Sequence, residues 1–247
     1  GDSLEHDETV AILREQHVDH LIANDKQPEE AELLITSVKL LTGDIFGLDK
    51  YLPWGTRIHE LEVKNYAEKR DALATVVAHA RSMGARRALM ARLEHVTDEL
   101  LMNAIYDAPA VRRGISTKSR ISALADGQPA DFGGEKAVLR YGCDGRYFAV
   151  SATDPYGELR KEVILDHLVR ARKERGAPKQ DGPGGAGLGL YFVLSSATQF
   201  IVNIEPGQRT EVVCLFDLSV SGREMSSYAQ SVHIFVADGD SAQSSDA

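Results

Sequence analysis

The chain has 247 residues, 43% hydrophobic and 26% charged, with a formal net charge of −9 at neutral pH. That is globular composition with length for one large domain or two smaller ones; the acidic total argues against nonspecific nucleic-acid binding, and no apolar run is long enough for a membrane span or reads as a secretory signal. Cys143 and Cys214 fall in strand-like segments without metal-ligand spacing, so both read as reduced core thiols of a cytoplasmic protein.

The first stretch, to about Leu52, reads as helical. "EEAELLITSVKLL" carries Leu33, Leu34, Val38 and Leu41 at helix spacing behind Pro28. His17 and His20, a pair without a third ligand, read as a solvated helix face. Gly47, Pro53 and Gly55 make "GLDKYLPWG" a loop that leads into the main domain. "TRIHELEV" reads as a strand and "EKRDALATVVAHARSM" as a helix that stops at Gly84. In the next segment Leu89, Leu93, Val96, Leu100 and Ala104 recur at helical spacing, so it forms an amphipathic helix with a core face. From Pro109 to Glu135 the residues read as loop. "KAVLRYGCDGRYFAVSATD" is a hairpin around Asp144-Gly145. Then come a helix in "KEVILDHLVRARKERG", a glycine loop in "GPGGAGLGL", a helix in "GLYFVLSSATQ", and the strands "FIVNIEP", "TEVVCLFDL" and "SVHIFVAD". Strands and helices come in groups rather than in strict alternation. The expected fold is α+β, a mixed sheet covered by helices on one face. The expected organisation is a helical N-terminal extension (1–55), a main domain (56–220), and an extra strand with a disordered tail (221–247).

Three stretches carry chemistry. Glu99 and Asn103 stand four apart, so they share one side of their helix at the edge of the apolar stripe. Read alone, the pair fits a solvated surface. Asp154 ends a strand in "VSATDPYGELR", which alone fits an ordinary turn. Glycines 182, 184, 185, 187 and 189 run directly into a helix; amides free of side chains at the positive end of a helix suit a polyphosphate. The loop is not a Walker sequence, since Gly-Lys-Ser/Thr is missing, and a charged helix rather than a strand precedes it, unlike a Rossmann fingerprint.

The order Glu-x-x-x-Asn, strand-end Asp, then Gly-x-Gly-Leu-Gly-Leu resembles the GHKL ATPase superfamily of gyrase, a heat-shock chaperone, a mismatch-repair protein and histidine-kinase catalytic domains. The resemblance covers about Thr56 to Leu218 and implies an ATP-binding sandwich of the Bergerat type with ATP and Mg2+ as its ligands. Asn103 would coordinate the magnesium ion, for which a carboxamide oxygen is a suitable hard ligand. Asp154 would accept a hydrogen bond from the adenine amino group. Gly185, Gly187, Leu188 and Gly189 would line the phosphates, and Thr210 would help hold the adenine. Residues 160–186 would form a mobile lid, with Arg170, Arg172, Lys173, Arg175 and Lys179 as candidate phosphate or partner contacts. The family's Asp-x-Gly-x-Gly is here "DPYGE". Tyr156 and Glu158 take the glycine positions, and Gly157 lies one place out of step.

Within the superfamily the chain is most similar to anti-sigma-factor serine kinases of the partner-switching type, in which the Glu one turn before the Asn, here Glu99, acts as the catalytic base. "RIHELEV" mimics a phosphoacceptor motif, but it reads as a strand and lacks the rest of that motif. "HVDHLIANDKQPEEAELLITSVKLL" resembles the last strand and helix of a receiver domain. Three functions stand open: a magnesium-dependent regulatory serine/threonine kinase or ATPase, a histidine-kinase catalytic module, or a nucleotide-binding regulator without turnover. Each implies a regulatory protein partner, either an anti-sigma antagonist or a two-component protein, without nucleic acid or membrane, and leaves room for a homodimer.

Overall fold

β-branched and aromatic residues bounded by tight turns build the sheet. The computed structural model describes residues 18–22, 30–115, 135–166, 188–220 and 230–237. Its strands are β1 (His20–Leu21), β2 (Ile58–Val63), β3 (Ala137–Cys143), β4 (Tyr147–Asp154), β5 (Gln199–Glu205), β6 (Arg209–Asp217) and β7 (Ser231–Val236). They form one sheet in the order β1-β7-β5-β6-β4-β3-β2; every neighbouring pair is antiparallel except β5 and β7. The β3–β4 turn follows from its residues. Gly145 takes a φ of 95°, and Asp144 Oδ1 accepts from the amides of Arg146 and Tyr147 at 2.7 Å each.

The helices are α1 (Glu30–Thr42), α2 (Tyr66–Ser82), α3 (Arg87–Met102), α4 (Ala108–Arg112) and α5 (Leu188–Ser196). Asn65 caps α2 by accepting from the amides of Ala67 and Glu68, both at 3.0 Å, and Gly84 ends the turn after it with a φ of 80°. On one face of the sheet, α2, α3 and α5 bury Val76, Leu93, Val96, Leu100 and Val193 against Phe148, Val150, Val202 and Val212. This is the expected α+β architecture. The opposite face is covered by α1 and a 3-10 turn at Leu48–Tyr51, where Ile45 and Leu48 pack on Ile201, Val213, Leu215 and Phe235. No helix among the described residues is long and apolar enough to cross a membrane.

Three local expectations are corrected. His20 and Leu21 are not helical; they pair with His233 and Val232 at the sheet edge, and His20 stacks on Phe235 with ring centroids 4.4 Å apart. The loop "GLDKYLPWG" contains the 3-10 turn. The stretch after Pro109 stays helical to Arg112, and residues 116–134 lie outside the described residues. In α1, which forms as expected, the buried side chains are Glu32, Thr36 and Lys39 while its leucines face outward. The helix expected after Arg160 is present at 161–166, where Lys161 donates to the Val18 carbonyl at 3.0 Å and pairs with Asp19. Cys214 is buried and Cys143 half-buried, and both are free thiols.

Candidate functional site

The sequence of α3 writes a core stripe and, beside it, a polar stripe. Arg92, His95, Glu99 and Asn103 recur at i, i+3, i+7 and i+11, which places them along one side of the helix. α5 crosses this stripe. The His95 ring meets the edge of Phe192 at 4.1 Å, and one turn along, Glu99 meets Gly189. A Cβ at position 189 would lie 2.0 Å from Glu99 Oε2 and 2.6 Å from Cδ, so only glycine lets the first turn of α5 approach the carboxylate. Glu99 is half-buried. Burial raises its pKa first; Asp98 and Asp107 push the same way, and His95 and Lys69 oppose them. Lys69, itself buried, ties α2 to α3 through Asp98.

Asn103 opens a π-turn over Asn103–Asp107. The Ala108 amide reaches back five residues to the Asn103 carbonyl, and the next residue, Pro109, has no amide to restore the α register. α3 and this π-turn both pack on β4, the strand that ends in Asp154. Asp154 is buried, and its Oδ1 accepts from the amides of Tyr156 at 2.9 Å and Gly157 at 3.4 Å. Burial nevertheless pushes the carboxyl up to about 6, with the Glu158 charge adding to the rise and the two amides opposing it. Thr210 stands opposite Asp154 in the β4–β6 ladder. Its hydroxyl is buried and has no partner within hydrogen-bond distance.

The structure therefore brings the expected residues into two groups joined by β4: Glu99 with Gly189 at the start of α5 beside Asn103, and Asp154 with Thr210 and Gly157. Leu188 is the first residue of α5. Gly185, Gly187, and lid residues 167–186 with their basic side chains lie outside the described residues. Gly157 has a structural duty. Its φ is +63°, and a Cβ there would lie 2.2 Å from the Glu205 carbonyl in the β5–β6 turn. Tyr156 is buried, and its hydroxyl accepts from the Glu135 amide at 2.7 Å, while Glu158 pairs with Arg112 at 2.9 Å. The irregular "DPYGE" thus anchors the end of β4 to α4 and to the start of β3.

Sequence reasoning missed Arg92. Its Nε and Nη1 are buried without partners, and burial lowers its pKa. The helical period that paired Glu99 with Asn103 reaches Arg92 seven residues earlier and could have found it.

The residues fit the ligands the resemblance implies. Asp154 with the orphaned Thr210 hydroxyl offers an acceptor and a donor to one edge of a purine base. Among the described residues no three His, Cys, Asp or Glu side chains converge as a metal cage, so magnesium would rest on the Asn103 carboxamide, water and ligand oxygens, the mixed shell that this ion accepts. A cleft of about 470 Å³ lies on the opposite face, between α1 and the 3-10 turn, away from these residues.

No protein-family model matches the chain. No curated protein matches it either. Among solved structures, a chain of the SiaB–SiaC complex from Pseudomonas aeruginosa is similar, with 11% identity, a TM-score of 0.43, and coverage of 74% of this chain and 99% of that one. At that identity and score, neither activity nor partner carries over.

Proposed function

We propose that the chain binds ATP with magnesium on the α3–α5 face and serves as a regulatory serine/threonine kinase or ATPase of the anti-sigma, partner-switching type. One observation carries the reading: the Glu99 carboxylate is held at the first turn of α5, where a polyphosphate would meet backbone amides. Phosphoryl transfer depends on positioning and charge neutralisation more than on covalent chemistry by the protein. Glu99, with its proton affinity raised by burial, would take the proton of an incoming hydroxyl from a protein serine or from water. Asn103 would hold the magnesium ion beside it, and Asp154 would select adenine through its amino group. A polyphosphate bound with its metal supplies the leaving group and the charge that the site must neutralise.

The test is calorimetric titration with ATP and magnesium, followed by phosphate release with Glu99→Gln beside the wild type. The variant is expected to bind nearly as well and to turn over about a hundred- to ten-thousandfold more slowly. A second reading, a nucleotide-binding regulator without turnover, draws support from "DPYGE", whose residues are committed to packing contacts. Binding without phosphate release in the wild type would favour it. No binding at all would reject both.

A further inference from the structure

α1 is turned inside out. Its solvent face carries Leu33, Leu34, Val38, Leu40 and Leu41, between 45 and 86% exposed, while its buried face is Glu32, Thr36 and Lys39. The orientation is locked. Lys39 Nζ donates to Asn203 Oδ1 at 2.8 Å and to Tyr51 Oη at 2.5 Å, and lies 3.8 Å from the centroid of the Phe235 ring. Glu32 Oε1 meets His233 Nε2 at 2.8 Å. Turning the leucines inward would strip Asn203 and His233 of these partners in a buried site, where an unpaired polar group is costly. The leucine face is therefore a fixed part of the surface.

That face has a particular shape. Beside the aliphatic ridge runs the cleft of about 470 Å³, with Ala31 and Ile35 of α1 on one wall and Tyr51, Pro53, Tyr147 and Leu215 among its other lining residues. Trp54, next to Pro53 and the chain's single tryptophan, is fully exposed. A ridge and a groove side by side meet the condition for a two-fold contact, because each ridge can enter the other copy's groove. The five aliphatic residues expose roughly 500 Å², near the upper end of what monomers show. With Trp54 the total reaches roughly 800 Å², about what one partner contributes to a stable interface.

We propose that this face is a homodimer interface, in which two copies of the chain each seat the Leu33–Leu41 ridge in the other's cleft. The proposal is independent of the nucleotide reading, since it uses the other face of the sheet. The ridge is aliphatic, the cleft carries Lys50, Asp144 and Arg146 beside its apolar walls, and each chain carries −9, so added salt screens the net repulsion and tightens the dimer.

Sedimentation velocity of the 247-residue chain from about 1 to 100 µM tests it, with a dissociation constant in the micromolar range expected. Leu34→Glu with Leu41→Glu should weaken association by about a hundredfold or more and leave the unfolding temperature of the dilute, monomeric chain unchanged, as both side chains are exposed in the single chain. Wild-type Trp54 emission should shift to the blue over the same concentration range. A chain that stays monomeric at the top of the range overturns the proposal. So does a dimer that the double variant leaves intact, that loosens with salt, or that forms without moving the Trp54 emission. Hydrogen exchange of α1 that is slow and independent of concentration would show the ridge covered by another part of the same chain, which also overturns it.

Discussion

Asp154 is in an environment that costs the fold stability. Its carboxyl holds a proton up to about 6 in the folded chain, against an ordinary value of 3.8. Between those values the folded state binds more protons than the unfolded one, so stability is highest at low pH and falls as pH rises through the window, by a total on the order of 3 kcal/mol. Asp154→Asn keeps the acceptor for the Tyr156 and Gly157 amides and removes the ionisation. It should be more stable than wild type at pH 7.5 and lose the slope between pH 4 and 6, measured by chemical denaturation at each pH. Its ATP affinity should fall about ten- to a hundredfold for want of an ionised acceptor. Gly189 is tested in the same way. Gly189→Ala drives a methyl into Glu99 and should cost about 1–3 kcal/mol, most of it recovered in a Glu99→Ala background. Denaturation of the two single variants and the double variant reads the coupling directly. Glu99, Asn103, Asp154 and Gly189 could be found in the sequence because each belongs to a local pattern. The placing of the Thr210 hydroxyl opposite Asp154 and the Gly157 approach to the β5–β6 turn could not, because the residues they face lie some fifty positions away in the chain.

At the scale of elements, α1 is the place where helical periodicity located the element and left its facing open. Leu33, Leu34, Val38 and Leu41 have the spacing of a core stripe, and spacing is all that a lone helix offers. What fixes its orientation is a set of polar partners far along the chain: Asn203 is 164 residues from Lys39, and His233 is 201 from Glu32. Lys39 is 1% exposed, and burial is the main force pulling its pKa down to about 7, with Glu211 opposing the shift. The unfolded chain keeps this proton to an ordinary lysine value, so it binds more protons between about pH 7 and 10.5, and stability should climb with pH across that window. Lys39→Met keeps the stem over Phe235 and should flatten the climb, as thermal unfolding between pH 7 and 9.5 would show. Elsewhere the elements were legible because their signals are short-range. The Asp144-Gly145 turn and the Asn65 cap each rest on contacts within three residues. β1 was not, because two residues make a strand only when a partner strand lies beside them.

The molecule divides into two working faces on one sheet. β6 shows the division residue by residue: Thr210 stands opposite Asp154, and the next residue, Glu211, accepts from the amide of Gly47 and from Asn203 on the α1 side, both at 2.9 Å. ATP with magnesium should therefore slow hydrogen exchange at 99–107, 154–157 and the start of α5 and leave α1 unchanged. Peptide-resolved exchange checks this, and equal protection of both faces would contradict the division.

The strand order carries a consequence for biosynthesis. Among the described residues β7 lies between β5 and β1, so β1 has no neighbour in the sheet until residue 236 is available. The same segment supplies His233 for Glu32 and Phe235 for Lys39. A nascent chain emerging from the ribosome can close the β3–β4 hairpin and dock α2 and α3 early, since those contacts are short in sequence. α1 must wait, with Glu32 and Lys39 unpartnered, until the β7 segment has emerged. Loops this long close slowly, and an undocked helix with its apolar face exposed invites aggregation in the interval. The β7 segment thus acts as a timer on α1, and a chain cut before Ser231 would leave that helix without the His233 and Phe235 partners of Glu32 and Lys39.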